Sequence, residues 1–372
     1  MQFNDLGMQY RNNREKIDQA VQKVFEDGCF ILGKPVELLE ERLAKYVGQK
    51  YCITCANGTD ALTMALVAMG IKKGDAVFTT AFSFFATVES IVLAGGTPVF
   101  VDADEASFNM DTTKLCEAVK KVKAEGTLNP KAILPVDLYG LPADYDAITD
   151  IAKEYGLLVL EDGAQGFGGS IRGKKACSFG DVSTTSFFPA KPLGCYGDGG
   201  AIFTDNPDVA KLVVSLRHHG KGEEKYDNIR FGFNSRLDTV QAAVLHCKLD
   251  IFDEEIIKRQ KAAKEYTSLL KCDTITPKVP KYYQSAWSQY TLRAKNAKHR
   301  KVIMNFLSSH GIPAMIYYKT PLHMQKAFNQ KYKEYDFPVS SMLSQCVFSL
   351  PMHPYLTLEE IKFVCEKLNE IY

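Results

Sequence analysis

The chain has 372 residues, which favours two domains, and its 46% hydrophobic and 24% charged residues are typical of a globular protein. Its 45 basic and 44 acidic residues give a formal net charge of +1, so composition points to no nucleic-acid or anionic-membrane partner. The sequence shows neither a signal-peptide pattern nor an apolar run long enough to span a bilayer. We therefore expect a cytoplasmic protein whose scattered cysteines are reduced thiols.

From about residue 50 to residue 205, strand-sized apolar runs alternate with helix-sized stretches. The runs are YCITCA, AVFTTAF, TPVFVDAD, KAILPVDLYG, LLVLEDG, VSTTSFF and GAIFTD. This alternation predicts an α/β fold with a mostly parallel sheet and helices on both of its faces. Ligands of such sheets collect at the carboxyl ends of the strands, so the residues that follow each run are candidates for a site.

The pattern changes near residue 237. Apolar residues recur at intervals of three and four in LDTVQAAVLHCKLDI, which predicts a long helix with one apolar face, and TLEEIKFVCEKLNEIY predicts another amphipathic helix. We predict a large α/β domain over residues 15–245 and a smaller α+β domain over residues 246–372. The N-terminal arm, residues 1–14, is assigned to the smaller domain.

Three short segments, each after a predicted strand, have side chains suited to chemistry. Asn57, Gly58 and Thr59 begin a helix whose free N–H groups would bind phosphate, although simple helix capping explains them as well. Asp162 ends a strand and would hold a proton on a ring nitrogen, although a surface turn is as good an explanation. Lys191 lies in a turn rich in proline and glycine, where partial burial would lower its pKa and make it a nucleophile and base, although a loop lysine by itself is more often simply solvated.

Taken together, a phosphate cradle, a carboxylate and a lysine are the parts that pyridoxal phosphate requires. Over essentially its whole length the chain also resembles the DegT/DnrJ/EryC1/StrS family of sugar aminotransferases. The resemblance rests on NGTDAL, AFSFFAT, PVDLYG, LEDGAQ, SFFPAKPLGCYGDGGAIFT, RHHG and FGFNSRLDTVQAAVL, which occur in family order. It implies the fold type I of pyridoxal-phosphate-dependent transferases, similar to aspartate aminotransferase, with a mostly parallel seven-stranded sheet. It also implies a homodimer with shared active sites.

The resemblance assigns roles to individual residues. Lys191 holds the cofactor as a Schiff base and then moves a proton, while Asp162 pairs with the pyridine nitrogen; these two are the catalytic residues. Gln165 contacts the ring hydroxyl and Phe84 stacks on the ring. The resemblance implies that the cofactor's phosphate is bound by Gly58, Thr59, Ser186 and the neighbouring subunit's Asn234. It implies that the substrate is bound by Arg236, Tyr317, Tyr318 and Phe30.

The implied reaction moves an amino group from L-glutamate to the ketone of a nucleotide-linked sugar in surface polysaccharide biosynthesis. The most similar subgroup acts on UDP-2-acetamido-2-deoxy-3-oxo-glucuronate. The chain departs from that subgroup at Asp137 and at residues 317–319, which are expected near the sugar. A 4-keto sugar, a TDP-linked 3-keto deoxysugar and a small keto compound therefore stay open as substrates.

Readings from other classes are weaker. Dehydratases related to the family have histidine in place of the lysine, so Lys191 argues against that activity. A cofactor-binding regulator would need a DNA-binding module, for which neither the charge nor the length of the chain leaves room. Asp102 and Asp104 form a D-x-D pair that metal-dependent glycosyltransferases use, but acidic residues in a turn explain them better. Cys52 and Cys55 have C-x-x-C spacing without a second pair, so buried thiols are the better explanation, and we expect no metal site.

Overall fold

The computed structural model describes residues 1–224, 226–271 and 273–371. The α-helices over these residues are α1 (Leu6–Asp27), α2 (Lys34–Val47), α3 (Gly58–Ala68), α4 (Phe85–Leu93), α5 (Thr112–Glu125), α6 (Tyr145–Tyr155), α7 (Pro207–Leu216), α8 (Thr239–Leu269), α9 (Ala297–Ser309), α10 (Pro338–Cys346) and α11 (Leu358–Glu370). The strands are β1 (Tyr51–Cys55), β2 (Asp75–Thr80), β3 (Thr97–Val101), β4 (Asn129–Leu134), β5 (Leu158–Asp162), β6 (Ser170–Ile171), β7 (Lys174–Lys175), β8 (Val182–Ser186), β9 (Gly200–Thr204), β10 (Tyr283–Gln284), β11 (Tyr290–Arg293) and β12 (Val347–Leu350).

A seven-stranded sheet in the order β1-β9-β8-β5-β4-β2-β3 forms the centre of the fold. Neighbouring strands run parallel except at β9, which is antiparallel to both β1 and β8. The predicted α/β fold with a mostly parallel seven-stranded sheet is thus confirmed. Two small sheets, β10-β6-β7 and β11-β12, lie outside it.

The central strands are apolar because helices cover both faces of the sheet. Side chains alternate along a strand, so neighbouring residues of β4 join different clusters. Leu134 packs with Leu62 of α3, whereas Ile133 packs with Ile148 of α6 on the other face. Helix α3 has buried residues all along its central turns, which explains why its sequence lacks a polar stripe.

The C-terminal part has a cluster of its own, in which Tyr266, Leu292, Phe348 and Val364 pack together. The predicted long helix is α8, which spans 31 residues from Thr239 to Leu269 and runs unbroken through the proposed boundary at residue 246. Helix α1 likewise runs through residue 15. The two-domain division therefore stays a prediction. Among the described residues, no helix has the length and apolarity that a membrane crossing requires.

Candidate active site

The carboxyl ends of β1, β5 and β8 lie at one edge of the sheet, because these strands run in the same direction. The segments singled out in the sequence follow these three strands. Gly58 begins the helix after β1, Asp162 is the last residue of β5, and Lys191 lies in the loop after β8. The topology therefore brings together residues that are more than 130 positions apart in the chain, as expected of a parallel sheet.

The turn after β1 forms a small cradle against the end of β8. The side chain of Asn57 caps α3 by accepting a hydrogen bond from the N–H of Asp60 at 2.8 Å. The N–H groups of Gly58 and Thr59 lie in the first turn, where no carbonyl of the same helix accepts them. A Cβ atom on Gly58 would lie 2.7 Å from Cβ of Ser186, so only glycine allows this approach. The result is a helix N-terminus beside a hydroxyl, which suits phosphate.

Asp162 is buried at the carboxyl end of β5. Its Oδ2 accepts a hydrogen bond from the hydroxyl of Thr87 at 2.9 Å, and its Oδ1 accepts one from the N–H of Ala164 at 3.2 Å. Burial raises the pKa of Asp162, while those two donors and the positive charge of Lys191 oppose the rise. The carboxylate is thus held in a fixed direction within range of Lys191.

Lys191 lies in the loop between β8 and β9. Its N–H donates to the carbonyl of Phe188 at 2.9 Å, and the loop closes again where the N–H of Cys195 donates to Phe187 at 2.7 Å. Burial lowers the pKa of the Lys191 amine, and the charge of Asp162 opposes that fall. A lysine with a lowered pKa is neutral in a larger fraction of molecules, which is the form that attacks a carbonyl or accepts a proton.

Aromatic side chains and Gln165 form a wall beside Asp162. The amide nitrogen of Gln165 donates to the hydroxyl of Tyr318 at 3.2 Å, and its oxygen accepts the N–H of Tyr139 at 2.8 Å. The ring of Tyr318 lies 6.0 Å from the ring of Phe84, centroid to centroid. Phe84 precedes α4 and is 54% exposed, so one face of its ring is free to stack on a ligand.

Residues 11–369 match the DegT/DnrJ/EryC1/StrS aminotransferase family. The chain belongs to this family. It is 46% identical over 371 residues to the UDP-2-acetamido-2-deoxy-3-oxo-D-glucuronate aminotransferase of Pseudomonas aeruginosa, with 99% of each chain covered. The predicted pyridoxal-phosphate-dependent aminotransferase is therefore confirmed.

Two solved structures agree with this assignment. A DegT/DnrJ/EryC1/StrS aminotransferase from Brucella abortus superposes with a TM-score of 0.96 at 44% identity, covering 100% of this chain and 99% of the other. NtdA from Bacillus subtilis, solved with bound cofactor PMP, superposes with a TM-score of 0.87 at 31% identity, covering 97% of this chain and 82% of that one. The predicted cofactor, pyridoxal phosphate, is confirmed with the family.

The residues present fit this cofactor of the DegT/DnrJ/EryC1/StrS aminotransferases. The helix N-terminus at Gly58 and the hydroxyl of Ser186 suit its phosphate, and the close approach of these two residues leaves no room for a Cβ. The buried carboxylate of Asp162 suits a protonated pyridine nitrogen, and the amine of Lys191 suits its aldehyde.

The family residues assigned to the partner subunit and substrate lie in less buried parts of the chain. Asn234 is exposed, and Arg236 donates a hydrogen bond to its side-chain oxygen. The ring of Phe30 lies 5.8 Å from that of Phe25, and its carbonyl accepts the N–H of Thr239 at the start of α8. These contacts place Phe30 beside the start of α8, and Arg236 lies three residues before that helix begins. Their assigned roles stay predictions.

Tyr317 and Asp137 were both expected near the sugar of this aminotransferase. Tyr317 is half-buried, with its ring 5.8 Å from that of Tyr318, which keeps it at the site. The side chain of Asp137 instead points into the core, where it is 0% exposed and accepts a hydrogen bond from the hydroxyl of Tyr145 at 2.8 Å. A side chain without exposed surface does not face a sugar, so this difference from the subgroup is a matter of internal structure.

Three residues that hold the site were not singled out from the sequence. Thr87 orients Asp162, Tyr139 orients Gln165, and the hydroxyl of Ser235 accepts the N–H of Ala56 at 3.1 Å, which ties the family's NSRLD segment to the phosphate turn. These bonds join residues 75, 26 and 179 positions apart. No local pattern signals such distant pairs.

The structure also explains the two motifs that suggested metals. Asp102 accepts hydrogen bonds from the N–H groups of Val339 and Ser340 and so caps α10 from another part of the chain. Cys52 and Cys55 are buried in different clusters, on opposite faces of β1. Within the described ranges, no group of three or more histidine, cysteine, aspartate or glutamate side chains is arranged to hold a metal ion.

Proposed function

We propose that this aminotransferase transfers the amino group of L-glutamate to the ketone at C3 of a UDP-linked 2-acetamido sugar. UDP-2-acetamido-2-deoxy-3-oxo-D-glucuronate is the first candidate. The observation that carries this proposal is the 46% identity to the Pseudomonas enzyme named for that substrate, over 99% of both chains. We place the reaction in the cytoplasm and its product in surface polysaccharide biosynthesis, as the sequence analysis predicts.

The side chains of this chain divide the work of such a reaction. Pyridoxal phosphate, when bound, supplies an electron-accepting ring. Asp162 keeps a proton on the ring nitrogen, and Gln165 holds the ring hydroxyl while its own position is fixed by Tyr139 and Tyr318. Lys191 would hold the cofactor at its aldehyde carbon until the donor's amine displaces it. The freed Lys191 amine, whose pKa burial lowers, would then be the base that takes the donor's α-proton and the acid that gives it back.

We further propose that two copies of the chain share their active sites. The segment that runs from Tyr226 to Arg236 supports this, because it carries large apolar side chains that are exposed to solvent. Phe231 is 102% exposed and Tyr226 is 86% exposed. Apolar side chains exposed together in this way mark an interaction surface. In the shared arrangement Asn234 donates to the phosphate in the partner's site, and Arg236, Tyr317, Tyr318 and Phe30 surround the sugar.

The substrate is tested with purified protein, pyridoxal phosphate, labelled L-glutamate and a panel of keto compounds. The panel contains the UDP-3-oxo-glucuronate, its 3-oxo-glucosamine counterpart without the carboxylate, a TDP-linked 3-oxo sugar, a UDP-linked 4-oxo sugar and a small keto acid. We expect mass spectrometry to find label in the amine of the first compound, with kcat/KM at least about tenfold above the second if a carboxylate contact adds an ordinary charge-assisted bond.

Each other result redirects the proposal. Preference for the 4-oxo sugar would overturn the C3 assignment, and preference for the TDP sugar would overturn the UDP carrier. Turnover of the small keto acid alone would remove the nucleotide sugar. The same assay with L-aspartate or L-glutamine in place of L-glutamate tests the donor.

A further inference from the structure

Two carboxyl groups are buried beside each other directly behind Asp162. Asp137 follows β4 and Glu161 lies in β5; both are 0% exposed, and their side chains are within hydrogen-bonding reach of one another. Two negative charges this close in a dry environment repel too strongly for both to be ionised. Burial raises the pKa of both groups, and one proton shared between them would remove this repulsion.

The hydrogen bonds around the pair show which carboxyl group keeps the proton. The oxygens of Glu161 accept from the N–H of Cys177, from the N–H of Phe179 at 2.7 Å and from the hydroxyl of Ser183 at 2.8 Å. All three partners are donors, which suits a carboxylate. On Asp137, Oδ1 accepts from two donors, whereas Oδ2 is buried without a donor. A hydroxyl at Oδ2 that donates to Glu161 satisfies this atom.

The surroundings of Asp137 disfavour its charged form. Burial, and after it the charge of Glu161, raises the pKa of Asp137 well above its ordinary range. In the part of the chain that the structure describes, the titratable groups found to act on it are acidic or neutral side chains. These groups are Glu161 and Asp162 of β5, Tyr145 of α6, Cys177 before β8 and Tyr283 of β10.

The turn that begins at Asp137 holds two residues of the site. The N–H of Asp137 donates to the carbonyl of Asp162 at 3.1 Å, and the N–H of Asp162 donates to the carbonyl of Pro135 at 3.0 Å. Two residues further on, the N–H of Tyr139 donates to the side chain of Gln165 at 2.8 Å. The position of this turn thus sets the direction of both Asp162 and Gln165.

We propose that Asp137 is a positioning residue that stays protonated at neutral pH and donates from Oδ2 to Glu161, which fixes the 135–139 turn that holds Asp162 and Gln165. This inference rests on the proposed roles of Asp162 and Gln165. It explains why the chain tolerates a third acidic residue next to Asp162, since a protonated neighbour adds no negative charge.

A mirrored pair of substitutions tests which group holds the proton. In Asp137→Asn the amide oxygen accepts the bonds of Ala143 and Tyr145, and the amide nitrogen donates to Glu161. In Glu161→Gln the amide nitrogen, itself a donor, would face the N–H of Cys177 or of Phe179 and would lose that hydrogen bond. We expect Asp137→Asn to keep a Tm at or above the wild-type value at pH 7 and Glu161→Gln to lower it. The reverse order would overturn the assignment of the proton to Asp137.

The pH dependence of unfolding gives a second test that does not involve activity. Asp137 ionises near pH 3.9 in the unfolded chain but stays protonated in the fold, so folding takes up a proton above that pH. The folding equilibrium constant of wild type relative to Asp137→Asn should then fall by about tenfold per pH unit until the folded-state pKa is reached. A ratio that stays constant from pH 5 to pH 8 would show that Asp137 is ionised in the fold.

The positioning role is tested with the cofactor bound. We expect Asp137→Ala to lower kcat and to shift the pH titration of the bound cofactor's visible absorption, with Asp137→Asn restoring both. A purely structural role would lower Tm in Asp137→Ala without moving that titration. The Tm order and the pH dependence of the folding equilibrium constant do not depend on which keto compound is the substrate. A wrong substrate assignment would therefore leave both results unchanged.

Discussion

The two halves of the active site are built in different ways. At the strand ends, Asp162 and Gln165 are buried and are oriented by partners within the same chain. Residues 226–231 and Asn234 are instead exposed, and the ring of Phe231 is 102% exposed. This difference fits the proposal that one chain holds the reactive end of the cofactor by itself, whereas a second chain completes the phosphate and sugar sides.

The largest expected effect tests the buried half. Lys191→Ala removes both the anchor and the proton carrier, so we expect turnover to fall by about 10⁴-fold, the upper end of what one acid–base group supplies. The visible absorption of lysine-bound cofactor should disappear as well. Lys72→Ala, at an exposed lysine, is the matched control and should behave as wild type. Wild-type turnover by Lys191→Ala would remove the assignment of this residue.

Asp162→Asn keeps the shape of the side chain but removes its charge. The single amide oxygen can accept the N–H of Ala164, and the hydroxyl of Thr87 can rotate to accept from the amide nitrogen, so the fold should persist. We expect kcat to fall by about 10²–10³-fold, because the ring nitrogen loses the charge that keeps it protonated. Steady-state kinetics measures this, and Asp146→Asn, at an exposed ion pair with Arg172, serves as the control. A loss below about threefold would show that Asp162 does not have this role.

The sequence predicted the sheet and the reactive residues because both leave local patterns. Lys191 lies between prolines and glycines, and Asp162 ends an apolar run. Thr87 and Tyr139 left no such pattern, since their roles depend on hydrogen bonds to strands that are distant in sequence. The expectation that Asp137 lies near the sugar was wrong because its burial also depends on distant residues. Glu161 and Tyr145 enclose it only once the chain has folded.

The third prediction tests whether the exposed half serves the partner's site. Asn234→Asp places a carboxylate opposite the phosphate, so we expect cofactor affinity to fall by about 10–100-fold, the loss of one bond to a charged group. Fluorescence titration with pyridoxal phosphate measures this. Affinity alone does not tell whether Asn234 acts in the partner's site or in the site of its own chain. Mixing Asn234→Asp with Lys191→Ala distinguishes these two arrangements.

Mixing the two variants gives hybrid dimers in which one site carries both changes and the other carries neither. The mixture is assayed at a pyridoxal phosphate concentration that loads wild type but not Asn234→Asp. If subunits exchange at random, about a quarter of all sites become intact, and about that fraction of wild-type activity should return. The unmixed variants, each incubated alone under the same conditions, are the controls. No recovery in samples that are shown to contain hybrids would place Asn234 in the site of its own chain.

The smallest expected effect concerns the apolar part of the same segment. Burying Phe231 against a partner contributes about 1.5–3 kcal/mol, so Phe231→Ser should raise the dimer dissociation constant by about 10–100-fold while leaving the monomer's fold unchanged. Sedimentation at several concentrations measures the constant, and Phe363→Ser, at an exposed phenylalanine of α11 far along the chain from this segment, is the matched control. Equal weakening by both substitutions would show that the effect is not specific to the Tyr226–Arg236 segment. If Phe231→Ser alone weakens the dimer and also lowers cofactor affinity, the contact that holds the two chains together also completes the exposed half of the site. The two halves then differ in how they are assembled, because the strand ends need only one chain.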